Sequence, residues 1–338
     1  MFLVPVVLYG LMVLGQRFPK SEAGDAGVSY GQMFAQLAAP LMIVLLIIHA
    51  MVGYVELGTD SWIAKITGAI MESPQKGLLL FVYTSGLMFA LRFFAGPIVH
   101  RISPLGLLFF SALLGFAGLQ LLGSATTVAL CVVAATVYAC GKTFFWPTML
   151  AVVSEQFPKG GAITIGAIGG VGMLSAGLLG GPGIGFKQDY YATASLKEKS
   201  AEIYERYKAP EENSFIGFKV VGLDGAKVGV LGDDGKELAR ATELIAASGE
   251  TSENNQKLNE WWNDARQFAA TDKEQVTEAG LHGGRMALRL TSYVPATMAV
   301  LYLLLILYFK AQGGYKAKTL TEDQATAAEV AAGVSSEA

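Results

Sequence analysis

Six apolar runs dominate this chain: Ala38–Leu57, Gly77–Phe94, Leu105–Gly123, Thr127–Val153, Ile163–Gly181 and Thr291–Phe309. Each is long enough to cross a bilayer as a helix, because a hydrocarbon core of roughly 30 Å takes about 20 residues at the helical rise. Inside lipid every backbone N–H and C=O must be satisfied within the structure, so runs of this kind predict a bundle of helices. With 52% hydrophobic and 16% charged residues and a positive mean hydropathy, the chain lies outside the ordinary soluble class.

The segment Met1–Leu14 is apolar but lacks the basic region that precedes the core of a signal peptide. It reads as the end of a membrane helix whose start is missing, followed over residues 1–36 by a polar cytoplasmic linker that contains Arg17 and Lys20. Residues 37–185 then read as five membrane helices, 186–290 as a soluble insertion, 291–310 as the last membrane helix and 311–338 as a disordered tail. Short basic loops mark the cytoplasmic side of such chains. Arg17, Lys20, Arg101, Lys159, Lys310, Lys316 and Lys318 fall on one side of this arrangement, which leaves the insertion outside the cell. The location implied is the plasma (cytoplasmic or inner) membrane, with the lipid bilayer as the first partner.

The insertion carries its own element signals. Ser195–Lys208 reads as a charged helix, and Phe218–Leu223 and Lys227–Leu231 read as two strands joined at Asp224-Gly225, a favoured hairpin turn. Lys236–Ala247 and Gln256–Phe268 read as further helices, the second carrying Trp261 and Trp262. His282 has no neighbour at metal-ligand spacing, and Cys131 and Cys140 share one apolar run, which excludes a disulfide framework. No cofactor or metal is expected. The net charge of −3 gives no sign of a nucleic-acid partner, and no nucleophile–base set or paired carboxylates point to an enzyme.

Charges inside the apolar runs are the functional signal, because an ionisable group in hydrocarbon is expensive to keep. Lys142 lies deep in the Thr127–Val153 run, in helical register with Tyr138 and with Phe145 or Trp146. On the first full run His49, Gly53 and Glu56 share a face that continues to Asp60. Low dielectric strengthens attraction and penalises an unpaired charge. The expectation is therefore that Lys142 pairs with Glu56 or His49, and that protonation of either frees the lysine for substrate. Tyr138 and Trp146 offer aromatic faces to a solute ring, and Pro147 is placed to kink its helix.

Two motifs carry a resemblance. The turn Arg92-Phe-Phe-Ala-Gly96-Pro-Ile-Val-His100-Arg101-Ile-Ser-Pro-Leu resembles the cytoplasmic loop motif of the major facilitator superfamily, with Gly96 and Arg101 matching and His100 standing where the pattern has Asp. The run from Phe144 to Gly161, with Trp146-Pro147, Ser154-Glu155 and Phe157-Pro158, is similar to the end of that family's tenth helix and the loop after it. The glycine-rich Gly166–Gly185 is similar to the eleventh. Gly170-Val-Gly172 approaches a dinucleotide fingerprint, but it lacks the preceding strand and the acidic residue such a site needs. Instead, Gly166 with Gly170 and Gly177 with Gly181 supply small residues for close helix packing.

The resemblance implies an all-α polytopic membrane protein, a six-helix half of a major facilitator fold spanning the end of helix six through helix twelve. A small α+β extracytoplasmic insertion would sit between its last two helices. It further implies a secondary active transporter, a proton-coupled symporter of a small polar solute such as a sugar, nucleoside or organic anion. Its partner would be an N-terminal six-helix half, in the same longer protein or as a separate chain. Lys142, Glu56, His49, Asp60, Tyr138 and Trp146 are the substrate and proton-coupling candidates, and Arg92, Gly96 and Arg101 the gating-loop candidates. The competing reading is a membrane-anchored binding protein that acts through the insertion, with Trp261 and Trp262 as its contact residues.

Overall fold

The computed structural model describes residues 3–16 and 22–320. Arg17 and Lys20 of the expected basic linker, and residues 321–338 of the expected tail, lie outside the described residues. Helices α1 (Leu3–Val13), α2 (Glu22–Asp25) and α3 (Tyr30–Ala35) precede the long α4 (Pro40–Ile70). The bundle continues through α5 (Pro74–Arg92), the short α6 (Ala95–Ile102), α7 (Pro104–Ser124), α8 (Val128–Lys142), α9 (Phe145–Gln156), α10 (Gly161–Ser175) and α11 (Gly181–Lys199).

The starts of these helices are written in the sequence. Ser73-Pro74 and Ser103-Pro104 each place a capping hydroxyl before a proline at the first helical position, and Thr127 caps α8 in the same way. Interruptions follow a second rule. Proline lacks an N–H and so frees the carbonyl four residues before it. Pro97, Pro147 and Pro295 each lie shortly after a break, at Phe93-Phe94, Thr143-Phe144 and Ser292, and Pro182 follows a π-helical turn over Ala176–Gly180. The expected single helix Thr127–Val153 is thus two helices, α8 and α9, with the break ahead of Pro147.

Five continuous helical stretches among the described residues are long and apolar enough to cross a membrane: Pro40–Ile70, Pro104–Ser124, Val128–Gln156, Pro158–Lys199 and Glu253–Ala311. The chain is a multi-pass, all-α membrane protein. The expected run Gly77–Phe94 forms the 19-residue α5, but Gln75, Lys76, Thr84 and Arg92 dilute its apolarity.

The two ends of the bundle are closed by different contacts. At one end α2 and α3 pack on the turn Pro158–Gly160, and residues after the last helix return to α9. There Tyr315 Oη donates to Glu155 Oε2 at 2.6 Å and Gln156 Nε2 to the Lys316 carbonyl at 2.8 Å. Burial, together with that bond to Glu155, holds the Tyr315 phenol well above its ordinary range. At the other end Arg285 Nη2 donates to the Ala125 carbonyl at 2.5 Å.

Beyond that second end lies a cap: α12 (Ala201–Tyr207), strands β1 (Asn213–Phe215) and β2 (Phe218–Val220), α13 (Gly225–Asp233), α14 (Lys236–Ser248) and α15 (Glu253–Ala265). It has its own apolar core of Leu196, Ile203, Tyr204, Tyr207, Leu231 and Val276, with Trp261 and Trp262 packed against it. Helices α11 and α16 (Ala269–Thr291) run unbroken from this core into the bundle, and α17 (Tyr293–Ala311) completes the fold. The boundary expected at residue 186 therefore falls inside a helix.

Two element expectations need correction. Ser195–Lys208 is not one helix: Ser200 leaves the helical conformation and caps α12, its hydroxyl accepting from the Ile203 amide at 3.3 Å. Asp224-Gly225 is not the hairpin turn either. The Asp224 carboxylate accepts from the amides of Ala226 and Lys227 as the N-cap of α13, while the two strands turn one element earlier through Ile216 and Gly217, both at positive φ. Aspartate suits either role, and no property of the dipeptide alone decides between them.

The glycine face expected on α10 is also different. A Cβ at Gly53 would fall 1.9 Å from the Gly172 carbonyl oxygen, and one at Gly58 would fall 2.7 Å from Gly180 Cα. It is these pairs that let α4 lie against α10 and α11 backbone to backbone. Gly166, Gly170 and Gly177 have nothing within 4 Å, and Gly181 makes only ordinary contacts.

Candidate functional site

The periodicity of α4 places His49, Glu56 and Asp60 toward the interior, and the first two are buried. α8 brings Tyr138 and Lys142 to the same level from the opposite side, Tyr138 1% and Lys142 2% exposed. Lys142 Nζ forms an ion pair with Asp60 Oδ1, and the Asp60 side chain is 25% exposed. The expected pairing of Lys142 with Glu56 or His49 is therefore corrected: its partner is the carboxylate one turn beyond Glu56. The ammonium also lies 5.4 Å from the centre of the Tyr138 ring, a cation–π contact that contributes most where water is excluded. The Tyr138 hydroxyl shares a 2.6 Å hydrogen bond with Thr59 Oγ1 and lies 2.8 Å from the Val55 carbonyl, to which it donates.

Glu56 has a cation of its own. Arg92 Nη2 approaches Glu56 Oε1 at 3.4 Å, and Arg92 Nε donates to the Thr143 carbonyl at 3.3 Å. Thr143 stands four residues before Pro147, so this is the carbonyl that the proline leaves without its helical donor. One guanidinium thus ties α5 to α4 and to the break between α8 and α9. The expectation that Arg92 belongs to the gating loop is corrected accordingly, because its contacts are to the interior site. Gly96 and Arg101 on α6 are exposed and take no part in it. Glu56 Oε2 is buried and reaches no donor in hydrogen-bond geometry.

His49 lies apart from both ion pairs. Neither ring nitrogen has a hydrogen-bond partner. The imidazole meets Trp146 edge to face, ring centres 4.6 Å apart at 63°, and both rings close on Gly172, where a Cβ would come within 2.8 Å of each. The aromatic candidate Trp146 is therefore packed against the histidine, and Tyr138 is engaged by its hydroxyl and its ring.

Three participants lie outside the expected set. Thr59 shares a hydrogen bond with Tyr138; Tyr302 on α17 is fully buried, its hydroxyl unpaired among the described residues; and Lys187 on α11 donates to Tyr54 Oη at 2.9 Å and Thr291 Oγ1 at 3.2 Å, with no carboxylate partner among the described residues. A tyrosine within Leu301–Phe309 and a lysine just after a glycine-rich run are visible as polar exceptions in apolar sequence. The bond from Arg92 to Thr143 is legible only once Pro147 is read for the carbonyl it frees.

Chemically the arrangement is a seam of two ion pairs stacked one turn apart on α4, Lys142–Asp60 with its cation sealed and Arg92–Glu56 with its cation half exposed, and with a spare carboxylate oxygen on Glu56. A buried ion pair is rarely a net source of stability, because desolvation costs about as much as attraction returns. Its retention in a membrane helix points to a role in moving or binding charge. Compared with known proteins, the chain matches no family model, no curated protein and no solved structure.

Proposed function

We propose that the chain is half of a secondary active transporter that moves a small polar solute across the plasma membrane by alternating access, coupled to protons. The observation that carries this is the seam itself: the sealed Lys142 paired with Asp60 and the buried Glu56 paired with a half-exposed Arg92, beside an interrupted helix. Transporters build their sites from broken membrane helices near the midplane, where freed backbone groups and buried charges meet the substrate. The major facilitator likeness of the loop and tenth-helix motifs supports the same reading, and orients the cap outward.

In this reading Lys142 is the substrate cation. Asp60 holds it in the empty state, and a solute bearing a carboxylate, phosphate or dense hydroxyl face displaces Asp60 from it. Glu56 is the proton site. A proton on its unbonded Oε2 removes the charge that holds Arg92, loosening the tie to Thr143 at the helix break. A half of this kind works against a second six-helix half, with the site between them.

The test is uptake of labelled sugars, nucleosides and organic anions into vesicles carrying this chain together with a six-helix N-terminal half. Uptake of one class should be lost with Lys142→Ala, and its dependence on a proton gradient lost with Glu56→Gln. Undiminished uptake by Lys142→Ala, or robust transport by the monomeric chain alone, overturns the proposal.

A further inference from the structure

A second place in the molecule has the shape of a ligand site and lies away from the ion-pair seam. Where α4, α11, α13 and α16 meet beneath the cap there is a cavity of about 320 Å³, at the small end of the roughly 300–1,000 Å³ typical of small-molecule sites. It begins at Lys65, five residues along α4 from Asp60, or about 7 Å at the helical rise.

Glycines make the space. Gly225, Gly232, Gly280 and Gly284 all face the cavity, and at the first three a Cβ would meet nothing within 4 Å. Packed interiors seldom leave such room unused. Most of the remaining wall is apolar, including Ile66, Leu223, Val228 and Val276.

The polar groups are few and of opposite sign. Lys65, an exposed residue, lines part of the wall, its ammonium 5.2 Å from the Trp62 ring centre and in no ion pair or hydrogen bond among the described residues. Asp189 also lines the wall, close enough to Lys65 to feel its charge; it accepts one hydrogen bond from Asn213 Nδ2 at 3.0 Å and joins no ion pair among the described residues. Gln188 precedes Asp189 on α11 and also lines the wall, while its Nε2 is sealed from solvent. A cation and an anion on the wall of one apolar cavity complement a molecule with the opposite pair: an anionic group, a cationic group and an apolar body.

We infer that this cavity binds a small zwitterion with an apolar side group, the chemistry of an aliphatic α-amino acid. Its carboxylate meets Lys65, its ammonium meets Asp189, and its side chain fills the space left by Gly232 and Gly280. Because the walls come from the cap helix α13 and from three helices of the bundle, the bound molecule fastens the cap to the membrane part. This holds whether or not the seam transports a solute.

The experiment is calorimetric titration of the purified full chain in detergent with three ligands of one shape: L-leucine, 4-methylpentanoate, which lacks the amine, and isoamylamine, which lacks the carboxylate. Leucine should bind saturably, and each single-charge analogue at least about tenfold more weakly. Gly280→Leu, which projects a side chain into the open space, should abolish leucine binding. Asp189→Asn should weaken leucine while leaving 4-methylpentanoate unchanged, and this arm stands even if Gly280→Leu does not fold. Absence of leucine binding at millimolar concentration, equal affinity for an analogue, or leucine affinity unaltered in both variants overturns the inference.

Discussion

Two buried ion pairs, Lys142–Asp60 in the bundle and Arg206–Asp272 in the cap, are built as mirror images. In the bundle the cation is sealed, 2% exposed, and its carboxylate is 25% exposed; in the cap the carboxylate is sealed at 1% and its arginine is 20% exposed. The cap pair engages every nitrogen of its cation. Arg206 meets Asp272 through Nε at 2.8 Å and Nη2 at 3.2 Å and adds Glu202 through Nη1 at 2.9 Å, the fork geometry that fixes a carboxylate in place. Its hydrogen bonds to Asp272 hold the guanidinium above its ordinary range. Lys142 has one carboxylate and an aromatic face, which leaves ammonium hydrogens unused. Opposite charges make a clamp where every nitrogen of the cation is engaged and an exchangeable contact where ammonium hydrogens are kept free.

The contrast extends to packing. The cap is held as soluble proteins are, by Tyr207, Trp261 and their aliphatic neighbours around a small apolar core. The bundle draws on backbone approach at glycine, because lipid is as apolar as leucine and gives no hydrophobic drive for helices to associate. Gly53→Val should thus have the largest effect of any single change, since its Cβ falls 1.9 Å from the Gly172 carbonyl oxygen. Folded protein recovered on size exclusion should be nearly abolished, whereas Gly169→Val, where the space is open, should behave as the parent. Equal recovery of the two variants breaks the comparison.

Asp60→Asn comes next, because it strands a sealed ammonium. Removing one partner of a buried pair costs about 3–5 kcal/mol, so thermal unfolding in detergent should fall sharply. Lys142→Met should cost less, as its orphaned carboxylate is partly exposed, and the double variant should recover most of the loss. The smallest effect is expected for Asp272→Asn in the cap. Arg206 keeps Glu202 and some access to water, so the cost is about 1–3 kcal/mol, seen as faster limited proteolysis between residues 200 and 275 with the bundle's unfolding unchanged.

Much of this was legible in the sequence, and the failures have identifiable causes. Helix periodicity places His49, Glu56 and Asp60 on one face, but says nothing of how far an antiparallel neighbour slides along it. That register decides whether Lys142 meets Glu56 or Asp60. Arg92 followed the same logic: its position at the end of an apolar run suggests a loop role, yet the unsatisfied Thr143 carbonyl draws it inward. Among the closely spaced glycines between residues 160 and 185, several small-residue spacings fit a packing face. Only the partner helix, through Gly53 and Gly58, selects Gly172 and Gly180. The cap's helices were visible where charge and apolar residues alternate at helical spacing, as in Lys236–Ser248, and misread where a single Asp or Ser serves turns and caps alike.

The π-helical turn Ala176–Gly180 joins α10 directly to α11, and α11 runs on into the core of the cap. A π turn holds one residue more than the α-helix it interrupts. Returning that residue to ordinary register turns everything downstream by about 100° around the helix axis. The turn is therefore a crank set inside the membrane part, and the cap is the load at the end of its shaft.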